Sequence, residues 1–322
     1  MQQVVNTVKS AIGATKLPTG QLGKNGPYVT RMGYGAMGLS AFYGKPKPDE
    51  ERFAANPGKR EQIFLATKFA NLRDEQGNPI VDSSPEYAKK ACDKSLSRLG
   101  VNSIDLYYAH RLDGKTPVEK TVQAMKELKE AGKIKYLGLS EVSSESLRRA
   151  YAVHPITAVQ IEYSPFSLDI ESEQIGLLKT CRELGVAVVA YSPIGRGMLG
   201  GTIRSPDDFE EGDFRRFAPR FSAENFPKNL KLVDQITEIA KKKGLTASQI
   251  TLAWLMAQGD DIFPIPGTTN LSRVDENLGA LKVKLTDEET NEIRKACEAA
   301  EVAGSRYPEA FSKALFADTP AL

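Results

Sequence analysis

The sequence predicts an α/β protein, a (β/α) TIM-type barrel that is incomplete, with seven recognisable parallel strands and the second β/α unit missing. Three observations carry this expectation. Short β-branched and aromatic runs alternate with helical patterns along most of the 322 residues. The runs are nearly all apolar, as strands covered by helices on both faces of a parallel sheet must be. The first run is followed by GYGAMGLSAFYGKPKP, without the G-x-G-x-x-G spacing that an open dinucleotide-binding sheet places there.

In chain order, the strands are read at VTRMGYGAM (29–37), IFLATKF (63–69), SIDLYYAH (103–110), IKYLGLS (134–140), AVQIEYS (158–164), VAVVAYS (186–192) and IFPIPGT (262–268). The second is expected as a buried strand ending on a charge, Lys68. The helix over 84–100 starts at a Ser-Pro and stops at a Gly. The helix over 116–132 has Thr116 as N-cap, Pro117 in its first turn and Gly132 as its stop. SSESLRRAYAV (143–153), ESEQIGLLKTCRELG (171–185) and TASQITLAWLMAQG (246–259) continue the alternation. Only the 24 residues from Leu39 to Gln62 separate the first two strands, and they hold one short helical piece, PDEERFAA. That is one crossover and no more, so the ring is one strand short. Residues 1–16 read as a flexible N-terminal tail, and 17–322 as one barrel domain whose C-terminal tail lies over the pocket.

Composition narrows the partners. A hydrophobic content of 41% and a charged content of 26% are ordinary for a soluble globular chain. A net charge of +2 gives no electrostatic case for nucleic acid or a membrane surface. The basic stretch FRRFAPRF (214–221) reads as a solvated surface cluster. Cys92, Cys181 and Cys297 are odd in number, far apart and each in a helical pattern, so neither a disulfide framework nor a metal site is expected. With no apolar run near the roughly 20 residues of a membrane span, the expected location is cytoplasmic.

QLGKNGPYVTRMGYGAMGLS, SLSRLGVNSIDLYYAHRLD, AMKELKEAGKIKYLGLSE, VAYSPIGRGMLGG and IPGTTNLSRVDEN together resemble the aldo-keto reductases, from about Leu17 to Ala300. The nearest resemblance is to the fungal and plant branch that includes pyridoxal reductase-like enzymes. The resemblance implies an eight-stranded barrel that binds NADPH and reduces a small-molecule aldehyde or ketone to an alcohol. The family's catalytic set is an Asp, a Tyr, a Lys and a His at strand ends. The lysine stabilises the phenolate, which makes the tyrosine a usable acid, and the histidine orients the carbonyl. The matching lysine is Lys68 and the matching histidine is His110. The Asp and Tyr, carried in the family by a segment like D-T-A-x-x-Y-G, have no counterpart here. Tyr43, His110 or water are then the candidate proton donors. His154, before Pro155, is given no role.

The same resemblance assigns the cofactor residues. Ser140 and Gln160 would hold the nicotinamide carboxamide, and Tyr191 would stack on its face. Ser192, Pro193, Ile194, Gly195 and Gly197 would cross the pyrophosphate, with 205–226 as a polar lid. Gly267 and Thr268 turn into a helix near Leu271. There Arg273 would grip a 2′-phosphate, and Glu276 and Asn277 would hold the adenine; Asn270 stands where this branch often has lysine. Two further readings stay open: an NADP-binding regulatory or structural protein without catalysis, and a chain from which an exon was lost.

Overall fold

The first apolar run does not remain one strand. In the computed structural model, which describes residues 16–39, 60–312 and 314–322, its start forms an antiparallel hairpin. Strand β1 (Thr19–Gln21) pairs with β2 (Tyr28–Thr30). The chain then turns, and residues 33–35 run beside the last part of the fold. There the amides of Gly33 and Gly35 donate to Pro264 and Pro266 carbonyls, each at 3.0 Å. Glycine makes this approach possible, since a Cβ on Gly35 would stand 2.6 Å from the Ile265 carbonyl oxygen. The predicted strand over 29–37 is thus a hairpin arm followed by a short flanking segment. The expected tail, apart from Lys16, and Tyr43 lie outside the described residues.

The second run is shorter than expected. Strand β3 is Ala66–Phe69, and Ile63 ahead of it is 53% exposed rather than buried. A second hairpin, β4 (Asn71–Arg73) with β5 (Pro79–Val81), follows directly. The reading of apolar runs missed it, although DEQGNP is a turn signal. The Asp74 carboxylate accepts from the amides of Gln76 and Asn78 at 3.0 and 2.8 Å.

From there the β-α rhythm holds. Helix α1 (Pro85–Leu99) begins at Ser84, whose side chain accepts from the Tyr87 amide, and ends on left-handed Gly100, as its Ser-Pro and Gly signals require. It leads to β6 (Ile104–Ala109). Helix α2 (Val118–Glu130) starts later than predicted, with Pro117 rather than Thr116 at the cap. The Thr116 hydroxyl is spent on Asp113 at 2.8 Å. Then come β7 (Ile134–Ser140), α3 (Ser144–Val153) and β8 (Ala158–Glu162). Next are α4 (Leu177–Leu184), which loses its predicted first turns to a left-handed Gly176, and β9 (Ala187–Tyr191). Helix α5 (Phe226–Lys242) precedes α6 (Ala247–Ala257) and β10 (Ile262–Pro264), followed by α7 (Leu271–Gly279) and α8 (Asp287–Ala299). Helices α5 and α8 were not read from the sequence. The apolar positions Leu232, Val233, Ile236, Ile239 and Ala240 of α5 do carry the helical period.

Strands β3, β6, β7, β8, β9 and β10 form one sheet in the order β10-β9-β8-β7-β6-β3, every pair parallel. This is the parallel α/β arrangement predicted, with six of the seven read strands in it. Alternate residues of each strand point to opposite faces. One set, including Tyr107, Leu137, Leu139, Val159, Ile161, Val188 and Ala190, packs under the helices. The other set, Leu106, Tyr108, Ala158, Ala187, Val189 and Phe263, forms a smaller core on the inner face. At about 1.5–3 kcal/mol per fully buried large apolar side chain, these two layers are the main term holding the sheet.

Gly138 marks the tightest point of the inner face. A Cβ there would stand 2.4 Å from the Tyr108 ring and 3.1 Å from the Ala158 carbonyl, and Tyr108 is only 1% exposed, so it has nowhere to retreat. Gly138→Ala is expected to cost about 1–3 kcal/mol by overpacking. Urea unfolding would show this as a lowered midpoint with an unchanged slope; a midpoint within error of the parent would refute it.

Candidate active site

Strand parity brings five of the predicted residues, Lys68, His110, Ser140, Gln160 and Tyr191, to one place. Lys68, Tyr108, Ser140, Gln160, Glu162 and Tyr191 fall on the inner phase of β3, β6, β7, β8 and β9, near the C-terminal ends. The register aligns Lys68 with Tyr108, Ser140 with Gln160, and Glu162 with Tyr191. His110, two residues beyond Tyr108, continues the same face, and its amide donates to the Phe69 carbonyl at 2.9 Å. A separate cavity of about 530 Å³ lies at the opposite strand ends, between the β1–β2 hairpin, Arg182 and Asp261, away from this cluster.

Lys68 is half-buried. Its Nζ sits 5.9 Å from the centre of the Tyr108 ring, and no carboxylate among the described residues lies within ion-pair distance of it. Burial, and then the Arg111 charge, pulls its pKa down to about 8. Arg111, which the sequence reading passed over, donates to the His110 carbonyl at 2.8 Å and reaches the Ser140 hydroxyl at 3.4 Å.

His110 is held by another residue not foreseen, Asn71 on β4. The Asn71 amide nitrogen lies 3.1 Å from His110 Nδ1. An amide nitrogen can only donate, so Nδ1 accepts and the ring proton is on Nε2. Burial, with the charges of Lys68 and Arg111, lowers this histidine to about 2. This places it as a neutral hydrogen-bond donor rather than as a charged acid. His154 is a helix-end residue, its ring beside Lys129 and the Pro155 carbonyl.

Below Tyr191 lies a charge cluster that sequence patterning did not reveal. Glu141 and Glu162 are 0% and 1% exposed. Arg196 meets Glu162 at 3.1 Å, and Arg306 lies 3.5 Å from Glu141 and 3.7 Å from Glu162. Arg220 approaches Glu162 at 3.7 Å. The Tyr191 hydroxyl donates to Glu141 at 2.7 Å and lies 3.2 Å from that of Tyr307. Burial above all, then Tyr307 and both carboxylates, holds Tyr191 well above the ordinary phenol range. FRRFAPRF is accordingly only in part a solvated surface: Arg216 and Phe217 are exposed, but the rest turns inward. Arg220 and Phe221 are 7% and 2% exposed, and Arg215 pairs with Asp213 at 2.7 Å.

The predicted phosphate loop is strongly turned. Ser192, Gly195, Arg196 and Gly197 all have positive φ. The amides of Gly195 and Gly197 donate inside the loop, to Ser192 and Ile194 carbonyls at 2.9 Å, so those two are not offered to a phosphate. Pro193 is buried and Ile194 half-buried. At the far end, Tyr34 donates its hydroxyl to the Thr268 carbonyl, and Gly267 packs its backbone against Gly35. Asn270 caps α7 by accepting from the Ser272 amide at 2.9 Å. Arg273 is exposed, with its guanidinium 3.4 Å from the Thr202 hydroxyl. Glu276 is half-buried and Asn277 is 7% exposed. Among the described residues no group of acidic, histidine and cysteine side chains could hold a metal, and no helix is long and apolar enough to cross a membrane.

The Aldo/keto reductase family model matches residues 28–298. The chain is 48% identical over 336 aligned positions to aldo-keto reductase yakc of Schizosaccharomyces pombe, whose name carries NADP(+), covering 94% of this chain and 98% of that one. It is also 48% identical, over 341 positions covering 95% and 99%, to aldo-keto reductase str7 of Strobilurus tenacellus. Among solved structures it resembles the glycerol dehydrogenase AKR11B4 of Gluconobacter oxydans, with TM-score 0.69, 28% identity and coverage of 78% and 76%. It also resembles a thermostable aldo-keto reductase in complex with the inhibitor epalrestat, with TM-score 0.65, 25% identity and coverage of 87% and 100%.

Two outcomes follow from the charges. Arg306→Ala leaves Glu141 with the Tyr191 hydroxyl alone and is expected to cost about 3–5 kcal/mol in denaturant unfolding, with Arg306→Lys less harmful. Equal and small losses for both would mean that the pairing does not matter. Unfolded histidine binds a proton near pH 6.5, whereas folded His110 resists until about 2. Its contribution to stability is therefore complete above pH 6.5 and drains away as pH falls toward 2. Stability of His110→Gln should decline less steeply than the parent between pH 6 and 4, and parallel curves would contradict this.

Proposed function

The chain belongs to the Aldo/keto reductase family, and on that premise we propose that it binds NADPH and reduces an aldehyde or ketone to an alcohol slowly, without the family's Asp–Tyr segment. The observation that carries this is the convergence of Lys68, His110, Ser140, Gln160 and Tyr191 on one end of one sheet. Active sites of parallel β/α folds lie at that end.

Three observations support the missing unit and the incomplete barrel. About 303 residues make up 94% of this chain, yet the alignment with the S. pombe reductase has 336 positions. About 33 of its positions therefore face no residue here, the length of one β/α unit. Strand β3, where Lys68 sits, pairs with β6 and has no strand on its other edge among the described residues. The other end of the sheet, β10, meets residues 33–35 instead. Lys68, lastly, has no carboxylate beside it among the described residues.

The side chains suit the cofactor. Ser140 and Gln160 sit in register with hydroxyl and amide groups that match a carboxamide, although Gln160 is also hydrogen-bonded to Tyr108. Arg273 at the start of α7 suits a 2′-phosphate, with Thr268, Glu276 and Asn277 around it. NADPH, when bound, supplies the hydride. His110 Nε2–H would hold the carbonyl oxygen, and the Lys68 ammonium, acidified to about 8, would supply the proton through water. Tyr43 remains a further candidate donor. The C-terminal tail contributes Arg306 and Tyr307 beneath Tyr191, which supports placing it against the pocket.

Loss of an oriented general acid removes roughly 10²–10⁴-fold in rate. Carbonyl-dependent NADPH oxidation should be slower than in full-length relatives by about that factor, and a comparable rate would sink the claim that the acid is gone. NADPH binding followed by fluorescence should persist. Arg273→Ala is expected to weaken it roughly tenfold or more while leaving NADH binding unchanged. Binding with no turnover would favour the non-catalytic, regulatory reading, to which the absent segment also lends weight.

A further inference from the structure

A lysine ammonium even half-withdrawn from water, as Lys68 is, ordinarily keeps a carboxylate beside it, because an unpaired charge loses part of its hydration there. Lys68 has none among the described residues. Among the described residues, the charged and titratable groups facing it are Arg111, His110 and Tyr108 of the β6 end, with the Asn71 amide across from the histidine. A cation, a neutral imidazole and a phenol all disfavour a second positive charge or leave it uncompensated. Burial beside another cation is the arrangement that turns a lysine into a free amine nucleophile. The same residue stands at the strand end where His110 can donate to a carbonyl oxygen.

We propose that Lys68 captures aldehydes as a reversible imine, a reaction separate from reduction. Nζ adds to the aldehyde carbon, forming a C–N bond as the C=O π pair moves to oxygen. The nitrogen gives up a proton and the oxygen gains one through water. The resulting carbinolamine then loses water to leave C=N. Nothing is oxidised or reduced, and no cofactor is consumed. The amine acts in its neutral form, so capture and proton donation by the same lysine exclude each other. The inference rests on the proposed site admitting a carbonyl compound, and not on NADPH binding.

The full-length chain would be incubated with benzaldehyde and sodium cyanoborohydride in the absence of NADPH, then analysed by intact mass and peptide mapping. One benzyl group on Lys68 is expected first, roughly ten to a hundredfold faster than on exposed lysines at pH 7, whose ordinary pKa is near 10.4. The rate should rise through pH 8 and level off above it. Lys68→Arg, checked for parental thermal unfolding, should lose this fast label and keep the slow labelling of the surface lysines, whatever its effect on carbonyl reduction. Label spread over surface lysines, with Lys68 no faster than the rest, would overturn the proposal. NADPH fluorescence on the same preparation separates the two readings. Fast Lys68 labelling without NADPH binding would uphold the amine and sink the cofactor, and NADPH binding without labelling would do the reverse.

Discussion

Two carboxylates with almost no water around them, Glu141 and Glu162, set the terms on which the polar end of this sheet exists. A buried carboxylate left alone is several kcal/mol uphill, so each must be met by cations from other segments. Arg196 comes from the loop after β9, Arg220 from the long segment before α5, and Arg306 from the region after α8. The cost of burying Glu141 and Glu162 therefore helps to gather three loops, which also bond to one another directly, the Arg220 amide to the Ser305 carbonyl at 3.3 Å and the Arg215 guanidinium to the Arg196 carbonyl at 2.9 Å. Their guanidiniums also stack on rings, Arg196 over Tyr307 at 4.4 Å and Arg306 over Phe316 at 5.1 Å. That cross-bracing fixes Tyr191 from below, through its hydroxyl, and leaves the ring to be positioned by the strand.

Across the sheet the electrostatics run the other way. Around Lys68 and His110, burial first and then the neighbouring positive charges make both groups hold protons less tightly than in water. One polar edge thus carries a neutralised half and an uncompensated half, separated by Ser140 and Gln160. A hydride acceptor placed between them would have its oxygen on the electron-poor side. That is the side on which developing negative charge is stabilised.

What was legible in the sequence was whatever repeats or caps. The parallel strands from β6 onward, the Ser-Pro start of α1 and the Gly that ends it follow from local chemistry. The early chain was harder, because VTRMGYGAM is apolar enough for one strand while Gly33 and Gly35 serve backbone contact with residues 264–267. Lys68 and His110 were found through flanking motifs. Asn71, Arg111 and Arg306 were not, since each acts through a partner distant in sequence or on a turn, and polar residues in loops carry no period. FRRFAPRF misled for a related reason. Its charges looked like surface because Glu162, which draws Arg220 inward, lies in a strand that reads as apolar.

Arg306 meets Glu141 across 165 residues of chain. During synthesis the carboxylate emerges long before its counter-ion, and β7 and β8 are complete while their polar ends still lack it. Apolar layers of the sheet and helices can assemble as they emerge, but the floor under Tyr191 must wait for nearly the whole polypeptide. A nascent chain stalled before residue 306 would hold all six strands of the sheet, with Glu141 lacking its arginine and Glu162 met only by Arg196 and Arg220. It would present unfastened loops to chaperones and proteases at the end that arginine pairs and ring contacts brace in the finished protein.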